Sequence, residues 1–382
     1  MPITHQNTSN LLEVIPSSKR TPAQVSWWCT AGDESPTYRL LRKPVNLQEL
    51  NKFERPYSIW RDNETLAYVI PHNKSDFPDD ERNSLQITYA GTGPDIYIFG
   101  DTDTAIAETT AFFLELEGSN TCEDRLEFQF HGHQSFNFRD AGSQCIMHML
   151  KIAPSRDIYF RNITISTDQS LALATSKHPK HIYFFKTAFE DEGSAFVDAL
   201  ETRQSSFGSL TFEETSPGIN DNNLQRLFRV SVIEHLGLPV LSEATTLLSL
   251  AAKVDSLDCL ISSSLLQKVD LPSLSIVTNK LDIGIDHDTE EFPTELMISF
   301  WRRLAALGHF EELKVTLFVN DCDVPDSIVQ EMIAAVNANS KLKVLDLSSN
   351  TNWDWSPHME AIFQGIKGHK ELRTLRIDVF YS

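Results

Sequence analysis

Three prolines, Pro293, Pro325 and Pro357, recur at intervals of 32 residues, and each opens a segment with helical apolar spacing that a short strand-like run follows. A fixed period of about 20 to 50 residues is typical of solenoids, in which one supersecondary unit repeats because it cannot bury its apolar face alone. The recurrence therefore predicts a chain built from stacked strand–helix units.

Apolar residues define both elements of the unit. Stripes with the i, i+1, i+4 spacing of a helix on a core are Phe300/Trp301/Leu304, Met332/Ile333/Val336 and Ile362/Phe363/Ile366. Nine residues beyond each stripe come Leu313, Leu345 and Leu375, each in a run that alternates with period two. The same spacing becomes less regular towards the N-terminus. It predicts strands centred near Leu126, Ile158, Ile182, Leu210, Leu236, Leu257, Leu274, Leu313, Leu345 and Leu375.

Two of these runs resemble the leucine-rich-repeat consensus. They are Leu342-x-x-Leu345-x-Leu347-x-x-Asn350 and Leu271-x-x-Leu274-x-Ile276-x-x-Asn279. The helix after each strand and a period of roughly 30 residues are similar to the ribonuclease-inhibitor type. Over residues 120–380 the resemblance implies an α/β fold, a curved leucine-rich-repeat solenoid or horseshoe with a concave parallel β-sheet and convex helices. It also implies an Asn side chain bonded to each turn, although Phe318 and Phe380 occupy that position in their units.

Two registers fit one of the units. Leu281 and Ile283 follow the 32-residue spacing, whereas Leu274 follows the motif. We expect the strand to start at Leu274 and residues 282–292 to form an inserted acidic loop.

The repeat spacing divides the chain at residue 92. Residues 93–382 are expected to form the solenoid, and residues 1–92 an irregular, β-containing N-terminal cap or small domain whose first 20 or so residues are loose. Segments 95–99 and 112–116 are expected to be strands of a degenerate first unit. The final strand run, at 375–380, has three interpretations. It can itself cap the solenoid, pack on another subunit, or be followed by further chain. A self-capping monomer is favoured.

Charge and cysteine content restrict the class of partner and the compartment. The net charge of −20 argues against nucleic acid or a membrane surface and favours a protein or peptide, with a basic one fitting best. The alternative is that the acidity serves solubility alone. Five dispersed cysteines without metal or redox spacing, and an N-terminus without secretory features, predict an intracellular and most simply a cytoplasmic protein.

No catalytic pattern stands out, so we expect no catalytic residue, no metal and no cofactor. His131-Gly-His133 and Asp286-His-Asp288 have metal-like spacing but no recognisable further ligand. Turn or surface histidines are the simpler interpretation. The Gly91-Thr-Gly93 turn lacks the Lys and Ser or Thr that a phosphate loop needs.

Strand alternation places the candidate binding residues. In a leucine-rich solenoid the residues between the inward leucines lie on the open, concave face. The open-face positions are Glu127, Tyr159, Tyr183, Thr211, Ser275, Lys314, Asp346 and Arg376, with Asp157, Arg161, His181 and Phe185 beside them. Of these, the predicted partner-binding residues are Tyr159, Arg161, His181, Tyr183, Phe185, Lys314, Asp346 and Arg376.

Both aromatic groups have a structural alternative. If the alternation slips, Tyr159 and Tyr183 belong to the core. Trp353 and Trp355 are predicted as a second anchor, for a protein or a sugar, but tryptophans of such loops also pack beneath them and close the core.

Three functions follow from these expectations. The first is a non-enzymatic protein–protein interaction scaffold that binds its partner on the concave face. The second is a small-GTPase regulator, since the repeat is similar to that of Ran GTPase-activating proteins, with Arg161 or Arg376 against the phosphate. The third is a substrate-recognition subunit of a ubiquitin ligase, for which the segment 11–16 is too short to supply an F-box-like helix.

Overall fold

The computed structural model describes residues 10–22, 24, 36–72, 83–89, 93–116, 125–132, 135–152, 157–213, 218–287, 291–318, 324–348 and 355–377. The fold is α/β, with a large and mostly parallel sheet. The chain forms two compact units. Unit 1 comprises residues 1–207 and 217–220, and unit 2 comprises residues 208–216 and 221–382.

Unit 1 contains a mixed sheet and a small second sheet. In spatial order its strands are β1 (Leu12–Val14), β2 (Thr37–Leu40), β3 (Tyr57–Trp60), β4 (Leu66–Ile70), β6 (Asp95–Phe99), β5 (Ser84–Tyr89), β7 (Arg125–His131), β9 (Asp157–Arg161) and β11 (Lys180–Phe185). Pairing is antiparallel from β3 to β7 and parallel from β7 through β9 to β11. The second sheet is parallel and consists of β8 (Phe136–Asn137), β10 (Ile163–Ile165) and β12 (Ala188–Phe189).

The helices of unit 1 follow its strands. They are α1 (Asp103–Leu114), α2 (Gly142–Ile152), α3 (Thr167–Ala174) and α4 (Ser194–Thr202), with 3-10 helices at Ser17–Lys19, Leu47–Lys52 and Arg139–Ala141. A capping box starts α3, because Ser166 accepts from Gln169 N and the Gln169 side chain accepts from Ser166 N.

Unit 2 has a parallel sheet whose strands lie in chain order. They are β13 (Gly208–Glu213), β14 (Ile233–Leu238), β15 (Ser256–Ser262), β16 (Lys280–Asp286), β17 (Glu312–Phe318), β18 (Val344–Asp346) and β19 (Thr374–Arg376). The connecting helices are α5 (Asp221–Leu227), α6 (Glu243–Ser249), α7 (Ser263–Gln267), α8 (Thr294–Leu307), α9 (Asp326–Ala338) and α10 (Met359–Ile366), with 3-10 helices at Leu271–Ser273 and Ser356–His358. Parallel neighbours need such crossovers, because a tight hairpin joins only antiparallel strands.

The three spaced prolines all stand at helix starts, as predicted. Pro293 and Pro325 directly precede α8 and α9, and Pro357 lies in the 3-10 helix before α10. A proline fits here because its missing N–H has no partner in the first turn of a helix. At the other end of α8, Gly308 has a φ of 63°, the left-handed conformation that ends helices.

The predicted lateral register of the leucines is confirmed. Leu313, Leu345 and Leu375 lie directly opposite one another on β17, β18 and β19. The row continues in unit 2 as Leu281, Leu257, Leu236 and Leu210, and unit 1 has its own row of Leu126, Ile158 and Ile182. These side chains are buried, apart from the half-buried Leu375, and each fully buried one contributes about 1.5 to 3 kcal/mol.

The expectation of a strand at Leu274 is wrong. Residues Leu271–Ser273 form a 3-10 helix, and the strand begins at Lys280. Pro272 cannot donate to a ladder and is disfavoured in a central strand. Residues 282–286 therefore belong to β16 instead of an inserted loop, and Ser275 lies outside the sheet. The Asn279 side chain donates to a carboxylate oxygen of Asp255 at 3.0 Å and not to a turn backbone.

Two further expectations concern apolar segments. The strand expected at 112–116 is wrong, because Phe112 to Leu114 end helix α1, whereas the strand at 95–99 is confirmed as β6. A short apolar run does not by itself distinguish a buried helix from a strand. The helix stripes are confirmed for Phe300, Trp301 and Leu304, but Phe363 is 53% exposed and so lies outside the core.

The N-terminal 92 residues contain β1 to β5, in agreement with a β-containing segment, while the division at residue 92 stays a prediction. Within the described part of the chain, no helix combines the length and the apolar character that crossing a bilayer requires. Some residues named above lie outside the described residues, namely Gly91, His133, Asp288, Asn350, Trp353 and Phe380. The same holds for Trp27 and Trp28 and for three of the five cysteines, Cys29, Cys122 and Cys322.

Candidate functional site

On strands β7, β9 and β11 of unit 1 and β15, β16 and β17 of unit 2, buried core residues alternate with less buried residues. We call the side of the sheet on which these less buried residues lie the open face of each unit. Strand alternation sends Ile158 and Phe160 into the core and leaves Tyr159 between them half-buried on the opposite side. The same alternation recurs on β11, where Phe184 contacts Phe196 of helix α4 while Tyr183 faces away. The alternation does not slip at these tyrosines, so they belong to the open face of unit 1.

Aromatic and cationic side chains stack on the open face of unit 1. Tyr159 and Tyr183 are register partners, and their rings are stacked with centroids 4.1 Å apart and planes 3° apart. The guanidinium carbon of Arg125 lies 3.9 Å from the centroid of the Tyr159 ring. This distance is well within the range of a cation–π contact, so the three side chains form one layered group.

One carboxylate holds the two arginines of this group. Glu127, whose side chain is 15% exposed, lies 2.6 Å from Arg125 Nη2 and 2.5 Å from Arg161 Nε. Arg161 in turn stands 5.1 Å from the centroid of Phe185. We call Arg125, Glu127, Tyr159, Arg161, Tyr183 and Phe185 the aromatic patch. Its side chains are held in place before any partner arrives, which lowers the entropy cost of binding.

The remaining predicted residue of unit 1 lies at the margin of the patch. His181 is exposed, and its Nδ1 is 3.8 Å from Asp157 Oδ1, its register partner on β9. At the other margin, Lys186 lies 5.4 Å from the Phe185 ring. The structure therefore brings the five residues predicted in unit 1 together, and it adds Arg125, which the sequence analysis missed.

A row of charged residues crosses the open face of unit 2. Its members occupy one register position on five neighbouring strands: Asp258, Asp282, Lys314, Asp346 and Arg376. Lys314 Nζ donates to Asp282 Oδ2 at 2.8 Å, and Arg376 Nη1 donates to Asp346 Oδ2 at 3.0 Å. The predicted residues Lys314, Asp346 and Arg376 are thus together on one row, which we call the charged row.

Proton affinities differ along the charged row. Burial alone would raise the pKa of Asp346, but hydrogen bonds from Ser348 and Arg376 bring it below its ordinary value. Desolvation first, and the neighbouring Asp282 carboxylate second, raise the pKa of Asp258 to about 6, against the opposing effect of Lys314. The charge of Asp258 therefore changes close to neutral pH.

The tryptophan anchor does not reach the surface at the position that the structure describes. Trp355 is 1% exposed, so its indole packs inside the protein, as the structural alternative for this loop requires. A side chain buried to this extent offers no contact area to a partner in this conformation.

The histidine motifs have ordinary structural neighbours. His131 Nε2 lies 2.8 Å from Gln86 Oε1, and burial lowers the pKa of His131 while Glu127 opposes the shift. His287 lies between Ser263 Oγ, 2.7 Å from its Nδ1, and the carbonyl oxygen of Glu291, 2.9 Å from its Nε2. Among the described residues, no group of three or more His, Cys, Asp or Glu is arranged to hold a metal ion.

The two cysteines that the structure describes are buried thiols. Burial raises the pKa of Cys145 to about 12 and that of Cys259 further. Only the thiolate is a nucleophile, and a raised pKa keeps these groups protonated at neutral pH. They pack the core and supply no reactive group to either open face.

No protein-family model matches the chain, and no curated protein matches it in sequence. The two open faces are therefore interpreted from their own geometry. That geometry provides ordered aromatic rings with cations in unit 1 and a charged row beside apolar side chains in unit 2.

Proposed function

We propose that this protein is a non-enzymatic interaction scaffold, built as a leucine-rich-repeat-like solenoid, that holds a protein or peptide partner on its open faces. The observation that supports it best is the stack of Arg125, Tyr159 and Tyr183 in the aromatic patch. Tyrosine and arginine are the residues that most often dominate protein interfaces, because large, rigid side chains bury much area at a modest entropy cost.

The parallel register of the leucine row supports the repeat architecture of this proposal. Each strand of unit 2 adds one residue to the leucine row and is joined to the next strand by a helix. An additional strand–helix repeat therefore extends the open face without changing its geometry. As part of the same proposal, the protein acts as a monomer in the cytoplasm. Its net charge of −20 makes nucleic acids and membrane surfaces poor partners.

The two alternatives receive less support from the geometry. A GTPase regulator needs an arginine directed at the transferring phosphate, whereas Arg161 is bound by Glu127 and Arg376 by Asp346. A ubiquitin-ligase subunit needs a helical adaptor-binding segment, whereas Leu12–Val14 is a strand. Both stay hypotheses, and the multiple-turnover GTP hydrolysis of candidate GTPases tests the first.

Affinity capture from cell extract, followed by quantitative mass spectrometry, tests the scaffold proposal. We expect Tyr183→Ala to reduce recovery of the main partner about tenfold or more, because a hot-spot truncation costs roughly 1.4 kcal/mol or more. A matched control is Phe363→Ala, which also truncates an exposed ring but lies on helix α10. Equal recovery by wild type and Tyr183→Ala, with unchanged circular dichroism, would contradict the proposal.

A further inference from the structure

An exposed apolar surface accompanies the charged row of unit 2. Leu260 and Phe318 lean over Gly284, since a Cβ built on that glycine would lie 2.7 Å from Leu260 Cδ1 and 2.9 Å from Phe318 Cε2. The glycine has no side chain, so the side chains of β15 and β17 approach each other across β16. Phe318 is 40% exposed, and the contact forms an apolar surface on an otherwise polar face.

The adjacent part of the row carries an excess of negative charge. Asp258 and Asp282 are register partners, and Lys314 forms its ion pair with Asp282. No cation among the described residues forms an ion pair with Asp258, so the group of three keeps one negative charge. A cationic side chain of a partner would restore the balance at this position.

The spacing of these features suits an extended chain. Asp258 and Leu260 stand two residues apart on β15, as do Asp282 and Gly284 on β16. Residues two apart in a strand point the same way and are separated by about 6.6 to 6.8 Å. An extended peptide repeats that distance between its own side chains i and i+2.

We propose that Asp258, Leu260, Asp282, Gly284 and Phe318 form a docking surface for an extended segment that carries an Arg or Lys and, two residues away, an apolar side chain. The cation lies against the two carboxylates, and the apolar side chain lies against Leu260 and Phe318. The inference rests on the proposed function, because it takes a peptide as the ligand, and it specifies the chemistry that this face selects.

Protonation of Asp258 couples the surface to pH. The charged groups that face it are Asp282 and Lys314 on its own row, with His235 and Lys280 on the row below. Because desolvation and Asp282 raise the pKa of Asp258 to about 6, the carboxylate is ionised at pH 7.5 and largely neutral at pH 5. Attraction for a cation is therefore strong at the higher pH and weak at the lower.

Fluorescence anisotropy with synthetic peptides tests the inference on the full chain. The probe is a fluorescein-labelled nonapeptide of Gly and Ser with a central Arg-Ser-Leu, and its controls carry Glu-Ser-Leu or Arg-Ser-Ser instead. We expect binding of the first peptide below about 1 mM and at least about threefold weaker binding of both controls, as exposed single contacts give.

Protein variants locate the binding. Asp258→Asn is expected to weaken the Arg-Ser-Leu peptide about threefold or more at pH 7.5 and to remove the loss that the wild type shows between pH 7.5 and pH 5. Glu360→Gln on α10 makes the same change in net charge and is expected to leave affinity unchanged. Phe318→Ser is expected to abolish the preference for Leu over Ser in the peptide.

Three results would overturn the inference: no binding of the Arg-Ser-Leu peptide, equal affinity for the Arg and Glu peptides, or equal behaviour of Asp258→Asn and Glu360→Gln. Tyr183→Ala separates it from the proposed function. That variant is expected to bind the peptide normally while losing its cellular partner. If the wild type captures its cellular partner but does not discriminate between the peptides, only the docking surface is contradicted. If the wild type discriminates between the peptides but Tyr183→Ala still captures the cellular partner, only the aromatic patch as the main contact is contradicted.

Discussion

The two units place different chemistry at equivalent positions of their strands. On the open face, unit 1 has stacked tyrosines where unit 2 has Asp282 and Lys314. The buried row behind each open face also differs, being aromatic on β7, β9 and β11 of unit 1 and free of aromatic residues on β15, β16 and β17 of unit 2. Unit 1 stacks Phe128, Phe160 and Phe184, with centroids 5.4 and 5.7 Å apart, whereas unit 2 lines up Cys259, Ile283 and Val315.

In the proposed function, this difference gives the two open faces two kinds of recognition. Ordered aromatic rings give affinity, because they bury a large area with few rotatable bonds. Charged rows contribute selectivity and association rate more than affinity, because exposed ion pairs are weak in water. Strand alternation lets the open face differ between the units without altering the packing function of the core, since core and open-face residues point in opposite directions.

The largest expected effect tests the aromatic core of unit 1. Phe160 is fully buried between Phe128 and Phe184. Its replacement by Ala is expected to lower the free energy of unfolding by about 3 to 5 kcal/mol, because the cavity cannot collapse between two stacked rings. Denaturant unfolding, followed by circular dichroism, measures the loss.

Two milder substitutions calibrate that value. Phe160→Leu keeps most of the volume and is expected to cost about 1.5 kcal/mol or less. Ile283→Val in the aliphatic row of unit 2 is expected to cost about 0.5 to 1.5 kcal/mol. If Phe160→Ala costs no more than Phe160→Leu, the aromatic row is not tightly packed and the contrast between the cores fails.

An intermediate effect is expected from the carboxylate that holds the aromatic patch. Glu127→Gln leaves Arg125 and Arg161 without their shared counter-charge, which we expect to cost about 1 to 3 kcal/mol of stability. The deficit should shrink in about 1 M NaCl, where salt screens the repulsion between the two arginines. Thermal unfolding at low and high salt measures both quantities.

The matched control is an ion pair exposed on both sides. Glu243 and Lys268 of unit 2 lie 2.6 Å apart, with side chains 66% and 59% exposed. Glu243→Gln is expected to cost less than about 1 kcal/mol, as surface pairs do. Equal losses for the two variants would show that Glu127 is an ordinary surface partner and that the patch is not held in place by it.

Repeat spacing predicted the fold well where period and alternation agreed. The nine-residue step from helix stripe to leucine located β17, β18 and β19 and their lateral register. It failed at Leu274 because a local motif was preferred to the spacing, although Pro272 disfavours a central strand and the alternation from Leu281 to Ile285 is regular. Segment 112–116 failed because three apolar residues have no period of their own.

The candidate sites were predictable in part for the same reason. Alternation alone placed Tyr159 and Tyr183 on one face, but their parallel stacking depends on register between strands separated by a helix. Arg125 was missed although it is the register partner of Asp157, because the residue before the core position was considered on β9 and β11 but not on β7. Asp282 was missed because the misplaced strand at Leu274 put it in an expected loop instead of on β16. Asp258 directly follows Leu257 on β15, a strand that was predicted, but no open-face position was assigned there.

The smallest expected effect is a gain in folding stability, whereas the substitutions above are expected to lower it. In the folded protein the pKa of Asp258 is raised from 3.8 to about 6, so the folded state holds this proton more tightly than the unfolded state does. The resulting stabilisation is complete below about pH 4 and is lost as the pH rises through about 6. At pH 7.5 the ionised carboxylate therefore opposes folding.

Replacement of Asp258 by Asn is expected to raise stability at pH 7.5 by less than about 1 kcal/mol, since the side chain is exposed and its electrostatics are screened by water. The gain should fall progressively towards zero as the pH drops from about 6 to about 4, and melting temperatures across that range measure it. A loss of stability, or a gain independent of pH, would contradict the argument. The matched Asp282→Asn is expected to lower stability, because Lys314 loses its partner. An exposed carboxylate whose removal stabilises the fold is not required for folding, and a role in binding a cation gives a physical reason for its presence on the open face of unit 2.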